Sequence, residues 1–245
     1  MDRMLYVAMT GASETLRAQT VNNHNLANVS TTGFRADLAA FQSRAVDGTG
    51  FASRVYATNG TIGWDQTSGA LLSTGRDLDI AINGPGWIAV QGPDGKEAYT
   101  RAGNLQVDAN DQLMTATGLP VLGDGGPITV PPYSSIFFAR DGSISIVAQG
   151  QSPDTTSTVA RVKLVNPPND AVERGDDGLF RMKDGSEAPS DAAVQVGSGV
   201  LESSNVNTAE AMVNMIELAR QFEMQVKAIR TAEENANAAT QLMRI

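Results

Sequence analysis

The sequence predicts an α+β protein in which a long, coiled-coil-like helix at each end flanks a central, mainly antiparallel β domain. Apolar residues near both ends recur at alternating spacings of three and four, which is the period of a helix that packs against another helix. Between the ends, short strand-like runs alternate with Asp-Gly turns, and all ten prolines lie within residues 85–189. The middle of the chain is therefore rich in turns.

The N-terminal segment, residues 1–36, is predicted to form an assembly helix and the turn that follows it. The helix should end near Asn28, because residues 29–33 are rich in β-branched and hydroxyl-bearing side chains and close with Gly33, which can adopt a positive φ. The apolar stripe of this helix becomes polar toward its end. The residues of the stripe that we expect to carry assembly are Leu5, Met9, Leu16 and Leu26.

Residues 37–75 are predicted to be an extended connector, and residues 76–200 to form the β domain. The strand-like runs of this domain are short and contain many β-branched residues. Asp-Gly pairs at 94–95, 141–142 and 184–185 are typical of hairpin turns. We therefore expect neighbouring strands to pair antiparallel.

The C-terminal segment, residues 201–245, gives the clearer helical signal. It contains neither Pro nor Gly, and Asn207 followed three residues later by Glu210 is a capping-box pattern that fixes the helix start. A helix with one apolar stripe cannot bury it alone, so we expect the two ends to pair with each other or with neighbouring subunits. The residues of this stripe that we expect to carry assembly are Met212, Met215, Phe222, Val226 and Ile229.

The charge balance is acidic, with 18 Lys and Arg against 27 Asp and Glu and a net charge of -9. Residues 37–200 contribute -8 of this charge, from 11 basic and 19 acidic residues. Phosphate backbones bind to clustered Lys and Arg, so we expect no nucleic-acid partner. No apolar run approaches the roughly 20 residues that span a bilayer, and we expect no membrane insertion.

The motifs that suggest catalysis or cofactor binding are weak. Gly84 and Gly86 resemble part of a dinucleotide-binding turn, but the run that follows is too short for the helix that such a site requires. The acidic residues after Asp108 lack the Gly and Glu of a calcium loop, and His24, the only histidine, has no cysteine or second histidine to act with. We therefore predict no catalytic, cofactor-binding or metal-binding residues and no enzymatic activity.

Several stretches of the chain resemble one protein family. Residues 25–35 are similar to the N-terminal signature of the bacterial flagellar axial proteins, which form the rod, the hook and the hook-filament junction. Residues 75–84 and 99–103 resemble the core of rod and hook proteins, and parts of residues 204–227 resemble the C-terminal helix of the family. The signature residues in this chain are Asn25, Leu26, Ala27, Asn28, Thr32, Gly33 and Phe34.

The resemblance implies a structural subunit of the flagellar basal-body rod, the drive shaft that crosses the periplasm. It implies homo- and hetero-oligomeric helical assembly with other rod proteins, and passage through the flagellar type III export apparatus without a Sec signal. The modest central domain leaves the proximal and the distal rod proteins as candidates within the family, and residues 1–19 are more similar to the proximal one. The alternatives outside the family are a periplasmic cell-wall-active enzyme and a secreted binding module.

Overall fold

The structure, a computed structural model, describes residues 3–45, 55–152 and 154–242. The chain forms two compact units, each of which combines segments that are distant in the sequence. The helical unit consists of Met1–Val29, Arg35–Gln66 and Val206–Ile245, and the β unit consists of Ser30–Phe34 and Thr67–Asn205.

The helical unit contains helix α1, Arg3–Ala27, helix α2, Thr208–Leu242, and a hairpin of strands β1, Asp37–Ala45, and β2, Val55–Trp64. The two helices pack antiparallel. Late in α1, the Asn22 side-chain amide donates to the Ala211 carbonyl near the start of α2, at 2.9 Å. Early in α1, Gly11 faces Gln225, and a Cβ at Gly11 would lie 2.9 Å from that side chain. The two ends of the chain thus pair with each other.

The buried residues of α1 are mostly small but include the charged Glu14, and this finding makes the predicted coiled-coil character of the helices wrong. Ala8, Ala12 and Ala18 are buried, whereas Met9 and Leu16 are 51% and 47% exposed. A coiled coil inserts large apolar side chains into holes on the facing helix. The fold instead has two terminal helices, with several small residues on the buried side of α1, and antiparallel β-structure between them in the sequence.

The row of residues on the less exposed side of α2 coincides in part with the predicted stripe. Elsewhere the observed row is shifted by one residue. Its residues alternate at spacings of four and three, and all of them are buried or half-buried. The row consists of Ala211, Met215, Leu218, Phe222, Gln225, Ile229 and Ala232. Met215, Phe222 and Ile229 belong to both the predicted and the observed row. Met212 belongs only to the predicted row and is exposed.

The hairpin pairs antiparallel from Asp37 opposite Trp64 to Ala45 opposite Val55. Asn25 on α1 fixes its start, because the Asn25 Nδ2 donates to the Asp37 carbonyl at 2.9 Å and its Oδ1 accepts from the Asp37 amide at 2.8 Å. Both strands fall in the range predicted to be an extended connector. That range therefore contains paired β-structure.

The β unit is built from short strands, which form one five-stranded sheet in the order β14-β5-β6-β16-β15, one three-stranded sheet in the order β11-β12-β13, and smaller pairs. All the strand pairings of the described residues are antiparallel. The strands are β3 Leu71–Ser73, β4 Ile80–Asn83, β5 Trp87–Gln91, β6 Glu97–Thr100, β7 Leu105–Val107, β8 Leu113–Thr115, β9 Leu122–Gly123, β10 Gly126–Pro127, β11 Tyr133–Phe138, β12 Ser143–Ala148, β13 Ser157–Arg161, β14 Leu164–Val165, β15 Val172–Arg174, β16 Phe180–Met182, β17 Gln195–Ser198 and β18 Val200–Glu202. Among the described residues, one 3-10 turn, Asn169–Ala171, precedes β15.

The core of the β unit is filled by aliphatic side chains from many strands. Ile80, Ile88, Leu105, Leu113 and Ile144 have no measurable exposure. Successive strand residues point to opposite faces, so a half-buried strand places every second side chain in the core. A core of β-branched and leucine side chains with few aromatic ones agrees with the low aromatic content of the sequence, 5%.

A buried ion pair joins the end of β18 to the residue that follows β6. Arg101 Nη1 lies 2.9 Å from Glu202 Oε2, and the two side chains are 4% and 1% exposed. Both make further hydrogen bonds: Arg101 Nη2 donates to the Gly84 carbonyl at 2.7 Å, and Glu202 Oε1 accepts from the Gly69 amide at 3.0 Å. Buried charges are costly unless they are paired and hydrogen-bonded, so each partner requires the other.

Replacement of Glu202 by Gln should destabilise the β unit strongly. The substitution leaves Arg101 charged and buried without its counter-ion, and loss of one partner from a buried pair costs about 3–5 kcal/mol. Glu187→Gln is the matched control, because Glu187 is 73% exposed and lies 3.6 Å from Lys163; it should cost about 1 kcal/mol or less. Urea denaturation followed by tryptophan fluorescence measures both variants. If the two variants unfolded at the same urea concentration, the ion pair would not stabilise the β unit as we expect.

Candidate assembly surface

Large apolar side chains are exposed on both helices of the helical unit. Eight of them are between 39% and 63% exposed, and we call them the apolar helix surface. They are Tyr6, Val7, Met9 and Leu16 on α1 and Met212, Val213, Ile216 and Met224 on α2. Single exposed apolar residues are common on proteins, whereas neighbouring ones mark interaction sites.

The exposed apolar residues at the start of α2 are neighbours of one another. Met212 and Ile216 are four residues apart and lie on the same face of the helix, with Val213 beside them. The opposite side of α2 carries Phe222 in the row that faces α1. The start of helix α2 therefore carries exposed apolar side chains on the side that does not face α1.

The nine residues predicted to carry assembly fall into two groups. Those that are exposed are Met9, Leu16 and Met212. Those that are half-buried are Leu5, Leu26, Met215, Phe222, Val226 and Ile229. Members of the second group lie on the sides of the helices that are covered within the helical unit, and the role of all nine residues in contacts between subunits stays a prediction.

Five members of the apolar helix surface are absent from the prediction. They are Tyr6, Val7, Val213, Ile216 and Met224. Val213 and Ile216 are three residues apart outside the heptad-like row, and this spacing is itself helical. A search for a second stripe on the same helix would have found these two residues.

The first part of the family signature fixes the end of α1. Asn28 donates from its backbone amide and from its Nδ2 to the His24 carbonyl, at 3.2 and 2.9 Å, and so satisfies a carbonyl at the helix end. Asn25 holds the start of β1, and Leu26 and Ala27 lie between the two asparagines. Helix α1 ends at Ala27, so its predicted end near Asn28 is confirmed.

Gly33, in the second part of the signature, lies in the β unit where no larger residue fits. Its φ is 67°, and a Cβ would lie 2.3 Å from the carbonyl carbon and 2.4 Å from the carbonyl oxygen of Arg101. The Gly33 amide donates to the Glu202 carbonyl at 2.8 Å. Thr32, the preceding signature residue, is half-buried. The predicted positive φ of Gly33 is confirmed, and its cause includes a close approach of two backbone segments.

Phe34 completes the signature as a buried side chain of the β unit. It is 7% exposed, and the guanidinium carbon of Arg174 lies 4.5 Å from its ring centre, within the range of a cation-π contact. The same guanidinium carbon lies 5.8 Å from the ring centre of Phe180. The Phe34 carbonyl accepts from the Asn205 amide at 3.3 Å. The signature residues therefore have structural contacts in both units.

Titratable side chains of the helical and β units form local contacts. His24 Nδ1 lies 2.8 Å from Asp37 Oδ2. Asp108 Oδ1 accepts from the amides of Gln112 and Asn110, at 2.8 and 2.9 Å, and these hydrogen bonds hold the pKa of the Asp108 carboxyl below its usual value.

The described residues contain no group of three or more His, Cys, Asp and Glu that could hold a metal ion. None of the described helices combines the length and the hydropathy of a bilayer span.

The fold, with a helix near each end of the chain and antiparallel β-structure between them in the sequence, agrees with the class of structural subunits. The family profile described as "Flagellar basal body rod FlgEFG protein C-terminal" matches residues 198–242. The profile described as "Flagellar hook protein FlgE/F/G D1 domain" matches residues 81–151. The chain is 48% identical to the flagellar basal-body rod protein FlgF of Salmonella typhimurium and 46% identical to that of Escherichia coli, in each case over 99% of both chains.

The chain belongs to the family of flagellar basal-body rod proteins, and it is a structural subunit of that rod. The predicted similarity to the proximal rod protein, FlgF, is confirmed. The distal rod protein is not favoured, because FlgG of Buchnera aphidicola subsp. Schizaphis graminum is 34% identical over 97% of this chain and 98% of its own length, below the 48% and 46% of the two FlgF proteins. The relatives are structural rod proteins and not enzymes.

Replacement of Gly33 by Ala should destabilise the β unit more than the strained φ alone explains. Gly95→Ala is the matched control, because Gly95 has a φ of 76° and a Cβ there would meet no atom within 4 Å. The control should cost about 1–2 kcal/mol, the ordinary cost of a left-handed alanine. Gly33→Ala should cost more, because the backbone at Arg101 must also move. Equal losses of stability in urea would show that the close approach imposes no constraint.

Proposed function

We propose that this chain is a proximal-rod subunit that polymerises by burying its apolar helix surface against neighbouring rod subunits. The observation that carries the proposal is that Met212, Val213 and Ile216 remain exposed although α1 and α2 already pair. In a polymer, the helices of a neighbouring subunit would replace water at these side chains. The membership in the rod family supports the same conclusion.

The free energy that the apolar helix surface can contribute must be compared with the cost of association. Full burial of one large apolar side chain contributes about 1.5–3 kcal/mol. Association of two proteins costs about 4–15 kcal/mol in lost freedom of motion. Several of the eight side chains must therefore be buried together, so we expect assembly to depend on the whole surface and not on one contact.

The partners that we propose are further copies of this chain and other rod proteins. A rod repeats along a helix, and this requires a heterologous contact in which one surface of a subunit meets a different surface of the next. We also propose delivery by the flagellar type III export apparatus to the periplasmic part of the basal body. The net charge of -9 argues against nucleic acid as a partner.

Ile216→Asp should block rod assembly while the subunit stays folded. Ile216 is 55% exposed, so the carboxylate remains solvated in the free chain, but burial at a subunit contact would be costly. Asn214→Asp is the control, because it adds the same charge at an exposed position of α2. Swimming and basal-body completeness should be lost with Ile216→Asp and kept with the control. Normal swimming with Ile216→Asp would contradict the proposal.

Phe222→Asp should act differently, by separating α1 from α2 within the subunit. Phe222 is half-buried in the row that faces α1, and we expect a loss of roughly 2–4 kcal/mol from the helical unit. Gln221→Asp, at the neighbouring exposed position, should have little effect. Far-UV circular dichroism during thermal unfolding measures the difference. A Phe222→Asp subunit with unchanged helicity and melting temperature would show that this side chain serves only contacts between subunits.

A further inference from the structure

The β unit carries an exposed pair of leucines. Leu71 and Leu72 lie on β3 and are 52% and 56% exposed. Strand β3 pairs with β18, where Leu72 lies opposite Leu201. Successive strand residues point to opposite faces, so both faces of β3 present a leucine to solvent. Because these two leucine side chains are exposed, they are not part of the core of the β unit.

The segment around these leucines is uncharged in an otherwise acidic unit. Residues 67–75 contain no Asp, Glu, Lys, Arg or Pro, whereas the β unit as a whole has nine Lys and Arg against 17 Asp and Glu, a net charge of -8. Proteins usually protect exposed strands from association with charged residues or Pro. The absence of both from residues 67–75 indicates that this strand binds another chain.

We propose that Leu71 and Leu72 of one subunit dock on Met212, Val213 and Ile216 of a second copy of this chain. The inference rests on the proposed function, because it names the surface that covers the start of α2 in the polymer. The two surfaces are different, so the contact is heterologous and repeats from subunit to subunit without closing on itself.

The net charges of the two units favour the helical unit of a second copy, and not its β unit, as the surface that binds Leu71 and Leu72. The helical unit has nine Lys and Arg against ten Asp and Glu, a net charge of -1. Two β units, each with a charge of -8, repel one another at close range, whereas a β unit beside a helical unit meets little net charge. The uncharged segment also keeps carboxylates away from the point of contact.

Cysteine cross-linking between differently tagged copies tests the contact. The chain has no cysteine, so each introduced one reports a single position. Leu72→Cys and Ile216→Cys chains are expressed together, basal bodies are isolated, and the thiols are oxidised or joined with a short bismaleimide. A disulfide requires the two Cα atoms to lie within about 7 Å. We expect a cross-link that carries both tags.

The control pair is Phe137→Cys with Ile216→Cys. Phe137 is the other large apolar side chain of the β unit that is exposed in the described residues, at 49%, and it lies on β11 in a different sheet. Its cross-linking yield should be at background. A yield for the Leu72 pair no higher than that for the Phe137 pair would overturn the proposed docking.

Leu72→Glu gives a second readout that does not depend on cross-linking geometry. It should raise the concentration needed for assembly of the purified protein by about tenfold or more, because a leucine is no longer buried, while Phe137→Glu should leave it unchanged. Equal effects of the two variants would overturn the docking. If Ile216→Asp leaves assembly intact, the proposed function itself fails; if Ile216→Asp blocks assembly and Leu72→Glu does not, only the docking of the leucines fails.

Discussion

The buried ion pair between Arg101 and Glu202 is the interaction on which the β unit depends most. The two residues are 101 positions apart in the chain. Glu202 accepts from the Gly69 amide through its carboxylate and from the Gly33 amide through its carbonyl, while Arg101 donates to the Gly84 carbonyl. Several distant segments thus converge on one pair of charges. Because buried charges are costly unless they are paired and hydrogen-bonded, the pair holds these segments together.

Aromatic rings extend this network across the β unit. The guanidinium carbon of Arg101 lies 5.5 Å from the ring centre of Trp87, and the rings of Trp87 and Phe180 have centres 4.4 Å apart. The Arg174 guanidinium contacts Phe180 and also Phe34 of the family signature. Cation-π and aromatic contacts add to the free energy of burial. They connect the signature to the ion pair in one continuous set of contacts.

Features that depend on nearby residues could be predicted from the sequence. The positive φ of Gly33 follows from its place after the helix, and Asn207 caps α2 by accepting from the amides of Ala209 and Glu210, at 3.1 and 3.3 Å. The partners of Arg101 could not be predicted, because no spacing rule connects residues so far apart in sequence. The same holds for the β1-β2 hairpin, whose strands lack a clear alternating pattern at the level of the sequence.

On both helices the row of covered residues differs in part from the predicted stripe. On α1 a prediction from apolar size selects Met9, whereas the buried side chains include the smaller Ala8 and Ala18 and Met9 remains exposed. On α2 both the covered row and the outer pair, Met212 and Ile216, have helical spacing. Sequence periodicity alone cannot say which of the two faces the chain's own helix, because both have helical spacing. In the proposed polymer, one side of α2 would hold the subunit's own fold together and the exposed apolar side chains at its start would bind the next subunit.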